Sequence, residues 1–159
     1  MTQRGLRILT RSAALALITC VCPATIEASD FHALLIDTNY AAPVRWNVGA
    51  SLFLSHEDVG HSDGGTGIIV GGGVGKGGMQ VWGGTAVLGG PNADVRAVIT
   101  RTWDNPNGAS ANSTYVGGEV GFGLLWRVSV GYARRISGHS TRHDQIITWG
   151  VGVEVPWFR

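Results

Sequence analysis

Ser140, His143 and Asp144, with His139 beside them, bring together in six residues (HSTRHD, 139–144) the group types of acyl transfer. Acyl transfer needs a hydroxyl nucleophile, an imidazole to take its proton and a carboxylate to orient the imidazole. The four sit in a polar run, 137–144 (SGHSTRHD), rather than on a strand or helix that would hold them in line, so plain loop polarity is the competing reading. His56 and His61 (HEDVGH) suggest a zinc motif, but they are five positions apart and the segment has no helical period. The H-E-x-x-H geometry needs both rings on one helical face. They read as solvated loop residues, with a weak divalent-ion site shared with Asp58 and Asp63 as the alternative. Residues 73–78 (GVGKGG) satisfy G-x-G-x-x-G, yet a strand follows where a helix is required, and Gly77 after Lys76 excludes a P-loop. Glu119 and Glu154 are a carboxylate pair of the kind used in acid/base work. With Arg127 and Arg135 nearby in the pattern, they read instead as a salt-bridge network.

The elements that must position these groups are strands. Residues 115–136 (YVGGEVGFGLLWRVSVGYARRI) carry Val116, Val120, Phe122, Leu124, Trp126, Val128, Val130 and Tyr132 on even positions. Odd positions hold Gly117, Glu119, Gly121, Gly123, Arg127, Ser129, Gly131 and Arg135. A period of two is the signature of a strand. Because the apolar face stays even across the turn, the connection has odd length, most simply Leu124-Leu125-Trp126. That register sets Gly121 opposite Ser129, Glu119 opposite Gly131 and Tyr115 opposite Arg135.

Similar patterns predict strands over 45–55, 66–76, 79–88, 95–103 and 145–157, that over 95–103 with mixed faces because Arg101 shares a side with Val95, Ala97 and Ile99. Residues 31–36 (FHALLI) read as a first strand or a tethered arm, and 37–43 (DTNYAAP) as a turn. Counting 31–36 gives eight strands, and leaving it out gives seven. Residues 56–65, 104–112 and 137–144 read as polar loops, with short turns at 77–78 and 89–93.

At 159 residues with 14% charged positions and 25 glycines, the chain is one weakly charged domain rather than a disordered one. Its first 28 residues read as a signal peptide: Arg4, Arg7 and Arg11 precede an apolar run of ten, 12–21 (SAALALITCV), too short to span a bilayer as a helix. Cleavage after Ala28 would leave a domain of residues 29–159 without Cys20 or Cys22, hence with no disulfide or thiolate metal site. It would also remove three Arg and one Glu, taking the formal charge from +1 to −1. With Lys76 as its one lysine, that domain offers no basic stripe for nucleic acid.

One face of these strands is bulky and apolar, the other glycine and serine with a few charges, too poor in solvating groups for a protein exterior. The expected fold is therefore all-β: a single antiparallel up-and-down transmembrane β-barrel of about eight strands, small face inward and apolar face in lipid. Strands of nine to eleven residues suit a tilted membrane strand. Trp46, Trp103, Trp126 and Trp157 fall at strand ends as an aromatic girdle would, with Trp82 and Trp149 as exceptions. The inner face would carry a charge network of Glu119, Arg127, Arg135 and Glu154.

From residue 45 onward this arrangement resembles the small eight-stranded outer-membrane β-barrels of Gram-negative bacteria, the group containing the OmpA transmembrane domain and OmpX-like proteins. The most specific part is 147–158 (ITWGVGVEVPWF), where Phe158 is followed by Arg159. The resemblance implies a monomer in the outer membrane, in contact with its lipid, and delivered by the barrel-assembly machinery reading the last strand. It implies no cofactor. Some members of that group are lipid A deacylases or acyltransferases using Ser and His, but the deacylase pattern H-x-S-N is absent here. A structural or adhesive role is the leading expectation; a lipid-modifying enzyme through Ser140, or a soluble exported barrel holding a small apolar ligand, are the alternatives.

Overall fold

The computed structural model describes residues 31–55, 65–103, 106–138 and 143–158. Eight strands follow one another in chain order: β1 (Phe31–Ala42), β2 (Arg45–Ser55), β3 (Gly65–Gly75), β4 (Gly78–Leu88), β5 (Asn92–Thr102), β6 (Thr114–Gly123), β7 (Trp126–Ser137) and β8 (Gln145–Phe158). Each pairs antiparallel with the next, and β1 pairs with β8 to close the barrel. There is no helix among the described residues.

Closure by β1 corrects the expectation for residues 37–43. Asp37 and Asn39 are turn-forming residues, yet here they continue β1, with the side chain of Asp37 buried in the interior. Asn39 Nδ2 donates to Asp37 Oδ1 at 2.9 Å, and Asn47 of β2 donates to Asn39 Oδ1, so the interior supplies the partners a turn would have supplied. The chain reverses later, at Pro43 and Val44.

The inside and outside of the barrel have opposite chemistry. Leu34, Ile36, Val48, Leu52, Ile68, Val70, Val74, Val87, Val95 and Ile99 point outward from β1 to β5, and the row continues through Val116, Val120, Phe122, Val128, Val130, Tyr132, Ile147, Val151, Val153 and Val155. Within the hairpin of β6 and β7, Gly121 stands opposite Ser129, Glu119 opposite Gly131 and Tyr115 opposite Arg135. Gly123 pairs with Arg127 and Leu124 N donates to Trp126 O at 3.0 Å, so the connection has the expected three residues. Ile136 is an extra residue between the Tyr115–Arg135 and Thr114–Ser137 pairs, a bulge at the end of β7.

The barrel's two ends are built differently. At the end where β1 begins and β8 finishes, Ala33, Leu35, Phe53, Ile69 and Ala86 form an apolar plug with Leu88 against it. At the other end Tyr115, Ala133 and Ile146 form a smaller cluster, joined by Ala109. The β5–β6 connection folds over this second mouth. Trp103 N donates to Gly77 O at 3.1 Å, and Asn107 N donates to Pro43 O, 3.0 Å away on the β1–β2 turn.

Candidate functional site

Between the two plugs the interior is charged. Glu119, Arg127 and Glu154 all face it, as the alternation implied, and they are joined by Asp37, Asp94 and Arg96, which sequence reasoning had not placed there. Asp94 is central: Arg127 Nε and Nη2 donate to its Oδ2 and Oδ1, each at 2.8 Å. Such a two-pronged guanidinium–carboxylate contact fixes orientation as well as charge. Arg96, two residues along β5 on the same face, approaches Asp94 Oδ1 with Nε at 2.8 Å, and its Nη2 lies 3.6 Å from Glu154 Oε1 on β8. The indole of Trp82 lies beneath this guanidinium, 5.6 Å from ring centroid to Cζ. Trp82 is itself held by its Nε1 donating to Ser51 Oγ at 3.1 Å.

Glycine makes room for these long side chains. A Cβ on Gly121 would lie 2.5 Å from both Arg127 Nη2 and Asp94 Oδ2, and one on Gly131 would lie 2.5 Å from Glu119 Cγ. Glycine is costly in a strand, and in a barrel this narrow its absent side chain is the volume that the neighbouring ion pair occupies. Gly49 serves Asp37 similarly, since a Cβ there would sit 2.8 Å from each of its carboxylate oxygens.

Four carboxylates thus share the interior with two guanidinium groups. Beside them is a cavity of about 30 Å³, bordered by Asp37, Asn39, Gln80, Glu119, Ser129 and Glu154 among others. That is room for roughly two water molecules. Asp37 Oδ2 and Glu154 Oε1, on two residues that line the cavity, have no hydrogen-bond partner in the protein and are the groups such waters would serve. Among the described residues no group of three His, Cys, Asp or Glu is arranged to hold a metal ion.

Arg135 stands apart from this cluster. It is ion-paired to Asp144 Oδ1 at the mouth beneath the β7–β8 connection, and its backbone N donates to Asp144 O at 2.8 Å. Of the four acyl-transfer candidates, Asp144 is therefore turned to an arginine, and His143 offers its carbonyl to Tyr115 Oη at 3.0 Å. His139, Ser140, His56 and His61 lie outside the described residues.

Outside the barrel, Trp46 and Trp126 are exposed at strand ends and Trp103 is half-buried, its Nε1 donating to Lys76 O at 3.0 Å. The side chain of Trp157 lies outside the described residues. Trp149, five residues into β8, packs beside Tyr40, 5.7 Å between ring centroids, and Tyr40 meets Trp46 edge-on at 5.6 Å. Those three rings form a row across β2, β1 and β8 at the loop-bearing end. Trp82, the other exception, turns inward.

Among the described residues the interior holds opposed charges in contact across strands. Comparison with protein-family models, with curated proteins and with solved structures finds no match to this chain.

Proposed function

We propose that the chain is an integral outer-membrane β-barrel protein, a monomer with a side-chain-filled interior, whose role is structural or lies in surface contacts made by its loops. The observation that carries this reading is the inversion of faces: apolar side chains point outward from all eight strands while Asp94, Arg96, Arg127 and Glu154 point in. Soluble monomers rarely expose contiguous apolar patches beyond a few hundred Å², and this one encircles the molecule. Strands of about eleven residues, rising about 3.3 Å each and tilted about 45°, span roughly 25 Å, the height of a barrel's apolar band. In this reading residues 1–28 are an export signal, outer-membrane lipid covers the belt, and the last strand is what the barrel-assembly machinery engages. A soluble barrel carrying an apolar ligand is disfavoured by a charged interior with space for about two waters.

Fractionation of cells expressing the full chain, followed by electrophoresis of unheated and boiled samples, tests the reading. Recovery with the outer membrane and heat-dependent migration are expected. Recovery in the soluble periplasmic fraction would overturn it.

A further inference from the structure

The outward belt ends differently at its two rims. Where β4 meets β5 and β6 meets β7 at the plugged end, the described surface is Pro91, Ala93, Phe122, Leu124, Leu125 and Trp126, with no outward charge. At the loop-bearing rim the outward positions carry Arg101 near the end of β5 and Arg134 near the end of β7, Lys76 is exposed in the β3–β4 turn, and Arg45 is half-buried at the start of β2. The exposed carboxylate described at this rim, Asp144, is already neutralised by Arg135.

Three of these cations gather on one arc. Arg101 stands opposite Thr114 on β6, and its Nη1 donates to Thr114 Oγ1 at 3.0 Å, so the side chain lies across β6 in the direction of β7. Arg134 stands opposite Val116, two residues further along β6. Two strand spacings and two residues of rise put the backbones of Arg101 and Arg134 roughly 12 Å apart, a gap that two extended arginines close around one anionic group. On the other side of Arg101, Trp103 Nε1 donates to the backbone O of Lys76, which ties the indole to the turn that carries the exposed lysine.

Resting on the membrane reading above, we infer that Arg101, Arg134 and Lys76 form a binding site for the phosphate of a membrane-lipid headgroup. Charge complementarity points to this occupant. The three cations are exposed and lie immediately beyond an apolar belt, and the Arg101 guanidinium lies along the surface against Thr114, while Trp103 sits at the boundary depth that tryptophan favours.

The test places the refolded full barrel in phosphatidylcholine vesicles containing dibrominated phosphatidylglycerol or dibrominated phosphatidylcholine, and follows quenching of tryptophan fluorescence. The brominated anionic lipid is expected to quench at a mole fraction lower by about five-fold or more, an advantage that shrinks as salt is raised and survives added inorganic phosphate. The triple variant R101Q/R134Q/K76Q, confirmed as folded by heat-dependent migration, is expected to quench equally with both lipids. Equal quenching in the unaltered protein, or an undiminished preference in the triple variant, would overturn the site while leaving the membrane reading intact. Loss of the preference to inorganic phosphate alone would overturn the lipid as occupant. Failure of the unaltered barrel to enter any vesicle overturns both.

Discussion

Arg127 and Asp94 meet across β6, joined by two parallel hydrogen bonds of 2.8 Å that pass over Gly121. The pair ties β7 to β5 without using the strand between them, and Arg96 extends the tie towards Glu154 on β8. Removing one member of a buried pair leaves its partner uncompensated, which costs more than the pair contributes over apolar substitutes.

Asp94→Asn is therefore expected to destabilise the folded barrel by about 3 kcal/mol, because both Arg96 and Arg127 lose their carboxylate. Urea unfolding followed by tryptophan fluorescence measures it. The double variant D94L/R127M should recover the share of the loss that Arg127 carries, since Arg96 still lacks Asp94, and no recovery at all would contradict the Asp94–Arg127 pairing.

Two glycines on opposite faces should behave differently. Gly121→Ala forces the Asp94–Arg127 pair aside and is expected to cost about 1–3 kcal/mol. Gly83 faces outward, and the nearest atom to a Cβ there is 3.9 Å away, so Gly83→Ala should stay within about 0.5 kcal/mol of the parent. The unfolding midpoints of the two variants compare them directly.

Val120→Arg puts a charge in the middle of the outward belt, between Val95 and Val130 in register. In a bilayer the expected penalty is about 2–4 kcal/mol, seen as reduced folding yield in vesicles. An unchanged yield would count against lipid contact at that position.

Tyr115 joins the two longer connections at the loop-bearing end: its hydroxyl accepts from Ser110 N and donates to His143 O, each at 3.0 Å. Tyr115→Phe leaves the buried Ser110 amide without that acceptor, at a cost of about 1–3 kcal/mol confined to the mouth. Limited proteolysis should cut within 106–113 faster, with little change in global unfolding.

The β6–β7 hairpin was legible because its alternation is clean and the parity across its turn demands an odd connection, of which three residues is the simplest. Residues 37–43 were not, because Asp37 and Asn39 carry turn propensity in water, whereas a polar lumen that supplies their hydrogen-bond partners makes the same residues good strand formers. Asp94 and Arg96 escaped notice for a related reason. Arg101 on the apolar side of β5 blurred the contrast between its faces, although Asp94, Arg96, Val98, Thr100 and Thr102 do alternate with Val95, Ala97 and Ile99. Trp82 carries no local signal that it turns inward; its place beneath Arg96 is set by strands distant in sequence.

The pairing of β1 with β8 puts Asp37 directly opposite Glu154. The seam of the cylinder thus brings two carboxylates side by side, and like charges in that position oppose its closing. Arg96 reaches Glu154 from β5, on the far wall. It acts as a latch: in the closed cylinder a positive charge from the opposite side of the sheet offsets the repulsion between the first and last strands.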